Sequence, residues 1–198
     1  MVVGLTGGIG SGKTTVANIF SKFKNVAIYC ADDEAKKLMN TSLEIKSKLI
    51  NLFGETSYLD NQLNRKFIAS IVFKDKEKLN ALNSIVHPVV RKHFKDFVEL
   101  HVNKDYILYE NAILFESKSN LKCDIVISVF APKNIRIERT MLRDGSLKKE
   151  VENRINNQWL EDKKLLQSNY IINNFNDKDI DSQVFIIHNI LTKKRSCF

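Results

Sequence analysis

Gly7, Gly12, Lys13 and Thr14 stand at the spacing G-x-x-x-x-G-K-[ST] within Gly7-Gly8-Ile9-Gly10-Ser11-Gly12-Lys13-Thr14-Thr15. That spacing suits a phosphate cradle. Glycines let the backbone curl so that successive N–H groups face an anion, lysine adds a point charge, and the hydroxyl residue offers an oxygen to Mg²⁺. Gly8, Gly10, Ser11, Gly12, Lys13, Thr14 and Thr15 are therefore candidate nucleotide-binding residues, with Lys13 reaching the β- and γ-phosphates and Thr14 facing the metal. The flanks agree: Val2-Val3-Gly4-Leu5 reads as a buried strand, and Val16-Ala17-Asn18-Ile19-Phe20 takes helical spacing. A helix N-terminus there favours anions. At ordinary residue usage the four fixed positions recur in roughly one chain of this length in a hundred, so a merely structural glycine turn explains them poorly.

A phosphate cradle serves kinases, GTPases and mechanical ATPases alike, and other residues must decide. Asp32 follows a second apolar run, at the strand end where ligands of open α/β sheets bind. A carboxylate there can accept a proton from an attacking hydroxyl or help hold magnesium; it can equally cap the following helix. The local pattern weighs these evenly. Arg139 and Arg143 are four apart and share one helix face. Two guanidiniums there could fold onto a transferring phosphate, like an arginine finger supplied in cis, or form a solvated basic face beside Glu138 and Asp144. Glu110 and Glu116 lie at and beyond a third apolar run, either as acids acting through magnesium-bound water or as ordinary strand-end carboxylates. His87-Pro88 is expected to join two helices, with Pro88 in the first turn of the second; His87 is either a substrate contact or an interhelical histidine.

These residues need elements to position them. Strand-like runs occur at residues 2–6, Val26-Ala27-Ile28-Tyr29, Tyr106-Ile107-Leu108-Tyr109, Ile125-Val126-Ile127-Ser128-Val129 and Tyr170-Ile171-Ile172. Helical patterns separate them, which predicts an α/β fold with a five-stranded parallel sheet and right-handed crossovers. More than seventy residues divide the second run from the third. Helices are predicted there over 33–40, 42–53, 64–73, 76–86 and 89–102, with Gly54 and Tyr58-Leu59-Asp60-Asn61 as turns. That length exceeds one crossover and implies an inserted helical lobe over 34–103. A further helix over 133–142 runs into Arg143-Asp144-Gly145-Ser146, and a new helix begins with Ser146 as its cap; residues 139–150 read as a short lid. The remaining stretches, 1–33, 104–138 and 151–198, form the nucleotide-binding core, whose last helix spans about 179–191 before a frayed tail.

Composition limits the alternatives. The 198 residues are 43% hydrophobic and 27% charged, with two prolines, as expected for a globular domain with excursions. No stretch approaches the ~20 apolar residues of a membrane span, and the N-terminus enters the first strand directly, so a cytoplasmic location is expected. Cys30, Cys123 and Cys197 have no metal-ligand spacing and read as reduced structural thiols. The net charge of +8 suits small polyphosphates. Its basic residues are spread out and do not interleave with aromatics, which argues against nucleic acid.

The ordered set of motifs resembles the dephospho-coenzyme A kinase family from Val3 to about Leu191. Gly4-Leu5-Thr6-Gly7-Gly8-Ile9-Gly10-Ser11-Gly12-Lys13 is similar to its phosphate loop. Asn64-Arg65 through Ile71-Val72-Phe73 resembles its Leu-x-Arg…Val-Phe element, and Val86-His87-Pro88 its His-Pro junction. Glu110 through Leu114-Phe115-Glu116 resembles its Asp-x-Pro-Leu-Leu-Phe-Glu segment, and Arg139-Thr140-Met141-Leu142-Arg143 its lid. Gln158 falls on its glutamine after the lid helix, and Ile172-Asn173-Asn174 on the turn beside the adenine. The resemblance implies a P-loop core of the nucleoside-monophosphate-kinase type. It also implies transfer of the ATP γ-phosphate, with Mg²⁺, to the ribose 3′-hydroxyl of dephospho-CoA in the last step of coenzyme A synthesis. Asp32 would be base or orienting carboxylate, with Lys13, Arg139 and Arg143 catalytic. Asn174 would bind nucleotide, and Arg65, His87 and Glu116 would bind the acceptor. The partners would be ATP and dephospho-CoA, without nucleic acid or membrane, in a monomer or weak homo-oligomer.

Four positions depart from the family pattern: Cys30 replaces an acid, Lys36 an arginine, Ala112 a proline and Asn176 a glycine. Lys36 exchanges a bidentate contact for a point charge, and asparagine tolerates a left-handed turn. Rival readings are a nucleoside-monophosphate kinase with another acceptor and a nucleotide-gated binding module. A GTPase is weaker, since Asn103-Lys104-Asp105-Tyr106 fails the guanine signature at its fourth position.

Overall fold

The structure is a computed structural model and describes residues 1–72, 74–175 and 179–195. Two compact units emerge: residues 1–30 with 101–198, and Ala31–Leu100. In the first, the strands are β1 (Val2–Thr6), β2 (Val26–Cys30), β5 (Tyr106–Glu110), β6 (Ile125–Phe130) and β7 (Tyr170–Asn173). They form one parallel sheet in the order β2-β5-β1-β6-β7. Its helices are α1 (Lys13–Phe20), α6 (Lys133–Asp144), α7 (Lys148–Asn156), α8 (Glu161–Leu166) and α9 (Ile180–Arg195). The second unit holds α2 (Ala31–Thr41), α3 (Leu43–Phe53), the strands β3 (Tyr58–Leu59) and β4 (Gln62–Leu63), α4 (Arg65–Val72) and α5 (Lys76–Leu100).

The five expected strands are all present, each within a residue of its apolar run. β5 is buried at every position, as suits a strand paired on both edges. Val3 and Leu5 of β1 pack with Val16 and Phe20 of α1, Ile127 and Val129 of β6, and Val184 and Leu191 of α9. On the other face Gly4 makes room for the β5–β6 connection. A Cβ there would meet Leu114 Cδ2 at 2.8 Å and Cys123 Sγ at 2.9 Å. Burial pushes the Cys123 thiol up to about 12, so it stays protonated and structural.

The inserted unit corrects two expectations. Residues 76–100 form one continuous helix with Pro88 inside it, where two helices were expected to meet. Proline removes one backbone hydrogen bond and crowds the preceding turn. Packing on both sides outweighs that cost: Val86 and Val90, one turn apart across Pro88, are buried in the same cluster as Ile45, Leu49 and Tyr58. The turn expected over 58–61 is the start of a hairpin, with Tyr58 opposite Leu63 and Leu59 opposite Gln62. Asp60 and Asn61 take φ of 48° and 63°, the left-handed region that two-residue hairpin loops need.

Three helix ends also differ. α6 runs on to Asp144 and stops at Gly145, whose φ is 64°. α7 begins at Lys148 with Leu147 at the cap position, where the Glu150 carboxylate accepts the Leu147 N–H at 3.0 Å. Ser146 instead accepts a hydrogen bond from Arg154. α9 persists to Arg195, beyond the expected end at 191. The remaining tail, residues 196–198, together with Asn176 and Phe73, lies outside the described residues.

Candidate active site

β1 ends at Thr6 and α1 begins at Lys13, so the phosphate loop occupies a strand-to-helix junction at the middle strand of the sheet. Neighbouring strands on its two sides belong to opposite directions of winding, the place where open α/β sheets bind ligands. The first-turn amides of a helix have no intrahelical acceptor, and no side chain caps α1. Gly10 and Gly12 hold φ of 77° and 93°, which L-residues with side chains resist. They are also crowded: a Cβ on Gly10 would lie 2.3 Å from Arg136 O, and one on Gly12 2.0 Å from Asn174 Nδ2.

Lys13 is buried, and its ammonium donates to the carbonyls of Gly7 at 3.0 Å and Gly8 at 3.3 Å. Its charge is thus held at the loop. Ser11 N–H donates to Gly8 O at 3.1 Å, closing the turn. The Ser11 hydroxyl is fully buried and makes no hydrogen bond among the described residues. Asn174, at the end of β7, donates from Nδ2 to Ser11 O at 2.8 Å. Arg139 in turn donates to Asn174 O at 3.1 Å. Phosphate loop, strand end and Arg139 of α6 are therefore joined through one asparagine.

Arg143 lies elsewhere. Its side chain is 63% exposed and makes two hydrogen bonds to Asp144, which also binds Arg154. Arg143 first, then Arg154, hold the Asp144 carboxyl below its usual range. Glu116 is not an open carboxylate either. Its Oε1 accepts from Lys164 Nζ and from Trp159 N–H, both at 2.8 Å, while Oε2 is buried without a partner. Lys164 is fully buried and also donates to Ala112 O at 3.2 Å.

The remaining candidates sit in the Ala31–Leu100 unit. Asp32 and Asp33 are in the first turn of α2, with Ala31 opening the helix directly after Cys30. Asp33 pairs with Lys36 at 2.7 Å. Asp32 is exposed and makes no hydrogen bond or ion pair among the described residues. Arg65 is the exposed first residue of α4, whose Phe67 N–H is accepted by Asn64 Oδ1 at 3.2 Å. His87 is an exposed position within α5, and partial desolvation, then Arg91, lowers its pKa.

A family model described as dephospho-CoA kinase matches residues 1–179. The chain belongs to the dephospho-CoA kinase family. Its activity is the ATP-dependent phosphorylation of dephospho-CoA in the last step of coenzyme A synthesis. A dephospho-CoA kinase of Bacteroides fragilis is 31% identical over 192 residues, covering 97% of this chain and 93% of its own. One from Porphyromonas gingivalis is 39% identical over 146 residues, covering 74% and 71%. Among solved structures, a Thermus thermophilus protein superposes with a TM-score of 0.83 at 27% identity, covering 98% of this chain and 97% of its own. A Campylobacter jejuni dephospho-CoA kinase, at 24% identity and a TM-score of 0.73, covers 98% of each and shares the fold.

Several residues around the phosphate loop were not picked out by local sequence pattern. Gln158, read only through the family resemblance, accepts the Ile9 N–H of the phosphate loop at 2.9 Å and donates to Ala112 O at 3.5 Å. Arg136 and Glu161 form a buried ion pair at 3.2 Å against Gly8. Lys164 closes the same segment onto Glu116. The one signal available for Arg136 was its position a turn before Arg139 and Thr140 on the same helix. Glu161 and Lys164 look like ordinary charges of a short polar helix.

Proposed function

We propose that this kinase transfers the ATP γ-phosphate to the ribose 3′-hydroxyl of dephospho-CoA, with the phosphate loop as the donor site. The observation that carries the donor assignment is the joining of Lys13, Ser11, Asn174 and Arg139 around one glycine loop. Gly8, Gly10, Gly12, Thr14 and Thr15 complete the cradle. Lys13 neutralises charge on the β- and γ-phosphates, Arg139 meets charge that develops on the transferring group, and Asn174 borders the adenine. Arg143 joins Arg139 only after leaving Asp144. The 34–103 segment is the acceptor lobe, in which Arg65 and His87 contact the substrate, and the 139–150 segment is the lid. Asp32 orients the hydroxyl or takes its proton, a role that an exposed carboxylate without partners is free to fill. Glu116 acts by holding the Ala112–Glu116 segment through Lys164.

The donor set also fits Mg²⁺. Thr14 presents an exposed hydroxyl in the first turn of α1, and no group of three acidic, histidine or cysteine side chains gathers among the described residues. Mg²⁺ is ordinarily held by phosphate oxygens, waters and one or two protein oxygens, and Thr14 would be one of these. Bound there it neutralises phosphate charge. We assign the enzyme ATP and dephospho-CoA as its partners, the cytoplasm as its location, and a monomeric or weakly associating state. No helix among the described residues is long and apolar enough to cross a membrane.

The test is a kinase assay with dephospho-CoA, AMP and adenosine offered separately, and the product's phosphate located by two-dimensional NMR. Phosphorylation of dephospho-CoA at the 3′-position is expected. Turnover confined to AMP would overturn the acceptor assignment.

A further inference from the structure

The Arg136–Glu161 pair is a poor device for stability alone. Both side chains are nearly buried, at 6% and 12% exposure, and they meet through NH1 and Oε2 at 3.2 Å. Arg136 Nε and Glu161 Oε1 are buried with no hydrogen-bond partner. Desolvating two charges is repaid only when their remaining polar atoms are satisfied, and apolar residues of similar volume often serve a core as well. A different use is indicated by what the pair touches.

Gly8 passes directly beneath it. A Cβ on Gly8 would lie 1.8 Å from Arg136 NH1, 2.6 Å from Glu161 Oε2 and 2.8 Å from Arg136 Cζ. The same turn of α6 also bears on Gly10, through the Arg136 carbonyl and the Thr140 hydroxyl. Thr140 Oγ1 donates to that carbonyl at 2.7 Å. The Gly8 carbonyl is held by Lys13 Nζ and Ser11 N–H, and the next N–H, that of Ile9, by Gln158 Oε1. Gln158 and Glu161 belong to one short segment, so that segment grips the loop twice: by a hydrogen bond at Ile9 and through Arg136 at Gly8. When Lys13 Nζ turns to a phosphate oxygen, the Gly8 carbonyl loses one restraint. The NH1 end of Arg136, paired with Glu161, abuts Gly8 independently of Lys13.

We propose that Arg136, fixed by Glu161, is a positioning residue that holds the Gly8–Ile9 stretch of the phosphate loop in register for the ATP γ-phosphate. The proposal rests on the loop being the ATP site. Neither side chain need touch substrate. The planar fork matters, because a lysine would place a mobile point charge where Arg136 sets a fixed NH1 edge against Gly8.

The experiment is steady-state kinetics on four variants beside the wild type, with thermal melting as the stability readout. Glu161→Gln keeps the shape and a hydrogen bond to the guanidinium, and is expected to stay within about threefold of wild-type ATP KM. Glu161→Ala and Arg136→Lys are expected to raise ATP KM or lower kcat on the order of tenfold or more, with the dephospho-CoA KM unchanged. Arg136→Met/Glu161→Leu removes both charges together. It is expected to melt like the wild type yet retain the ATP defect. Wild-type ATP kinetics in Glu161→Ala or in a folded double variant would overturn the proposal, as would equal losses for Gln and Ala. If the double variant does not fold, the Gln–Ala comparison decides. An inactive wild type in the same assay would instead count against the donor-site reading.

Discussion

The Asn174 side-chain amide donates to the Ser11 carbonyl at 2.8 Å, joining the end of β7 to the phosphate loop across 163 positions of sequence. The same asparagine receives Arg139 on its backbone carbonyl. Asn174→Leu therefore removes the bridge while leaving the Ser11 carbonyl unsatisfied in a crowded place. A stability loss of about 1–3 kcal/mol is expected, together with a rise in ATP KM larger than any fall in kcat. Urea unfolding and an ATP titration check this, and an unchanged ATP KM would deny Asn174 its place in the nucleotide site.

Gly12→Ala should be more damaging than its size implies. The residue must keep a φ of 93°, and its new methyl would reach Asn174 Nδ2 at 2.0 Å. The left-handed backbone costs roughly 1–2 kcal/mol before the collision is counted. Loss of most ATP binding with retained far-UV circular dichroism is the expected result. An active Gly12→Ala enzyme would show that the loop shifts freely there.

Asp32→Asn should keep ATP affinity and lose turnover by roughly 10²–10⁴-fold, the usual range for removing a general base. Equilibrium binding of a non-hydrolysable ATP analogue and single-turnover phosphorylation separate the two quantities. Turnover near wild type would remove Asp32 from the chemistry.

Lys164→Met should unfold more easily than the double variant Lys164→Met/Glu116→Leu. Lys164 is fully buried, and breaking a buried pair leaves Glu116 charged with only the Trp159 N–H as donor. Such a break costs about 3–5 kcal/mol, whereas neutralising both partners often costs little. Chemical denaturation of the three proteins gives the comparison. A double variant no more stable than Lys164→Met would indicate that Lys164 serves Ala112 O above all.

His188 gives stability a dependence on acid. Its ring stacks on Phe23 at 3.8 Å, and its Nδ1 shares a hydrogen bond with Tyr106 OH at 2.8 Å. Burial lowers its pKa below that of a free imidazole, against the opposing pull of Asp105. The unfolded chain then takes up the proton first, so this contribution is complete above the ordinary imidazole pKa and declines as pH falls below it. The melting temperature of the wild type should drop more steeply than that of His188→Gln between about pH 7 and pH 5. Parallel curves would remove His188 as the source.

The parts legible in the sequence were those written in local pattern. Five apolar runs became five parallel strands because burial on both faces demands continuous apolar residues. The glycine spacing of the loop likewise follows from backbone geometry. What escaped depends on partners far away in the chain. Pro88 looked like a boundary, because the packing of Val86 and Val90 on α3 and Tyr58 is invisible in local propensity. Arg136, Glu161 and Lys164 resembled surface charges, and their burial follows from the placement of α8 on the sheet. Arg143, paired with Asp144 beside it, shows the converse: shared helical phase with Arg139 does not give two side chains the same protein partners.

The insertion of Ala31–Leu100 between two strands that pair directly bears on how the chain folds. β2 and β5 register Val26 against Tyr106, so their pairing must close a loop of nearly eighty residues. Closing a flexible loop of that length carries an entropy cost that grows with the logarithm of its length, and such non-local pairings slow folding. The insert has its own apolar cluster built from contacts within 35–90. If it condenses first, the floppy loop becomes a compact body, and the outer strand pair can zip with far less chain left to order. Mutations that loosen that cluster, such as Leu49→Ala, would then slow assembly of a sheet they never touch.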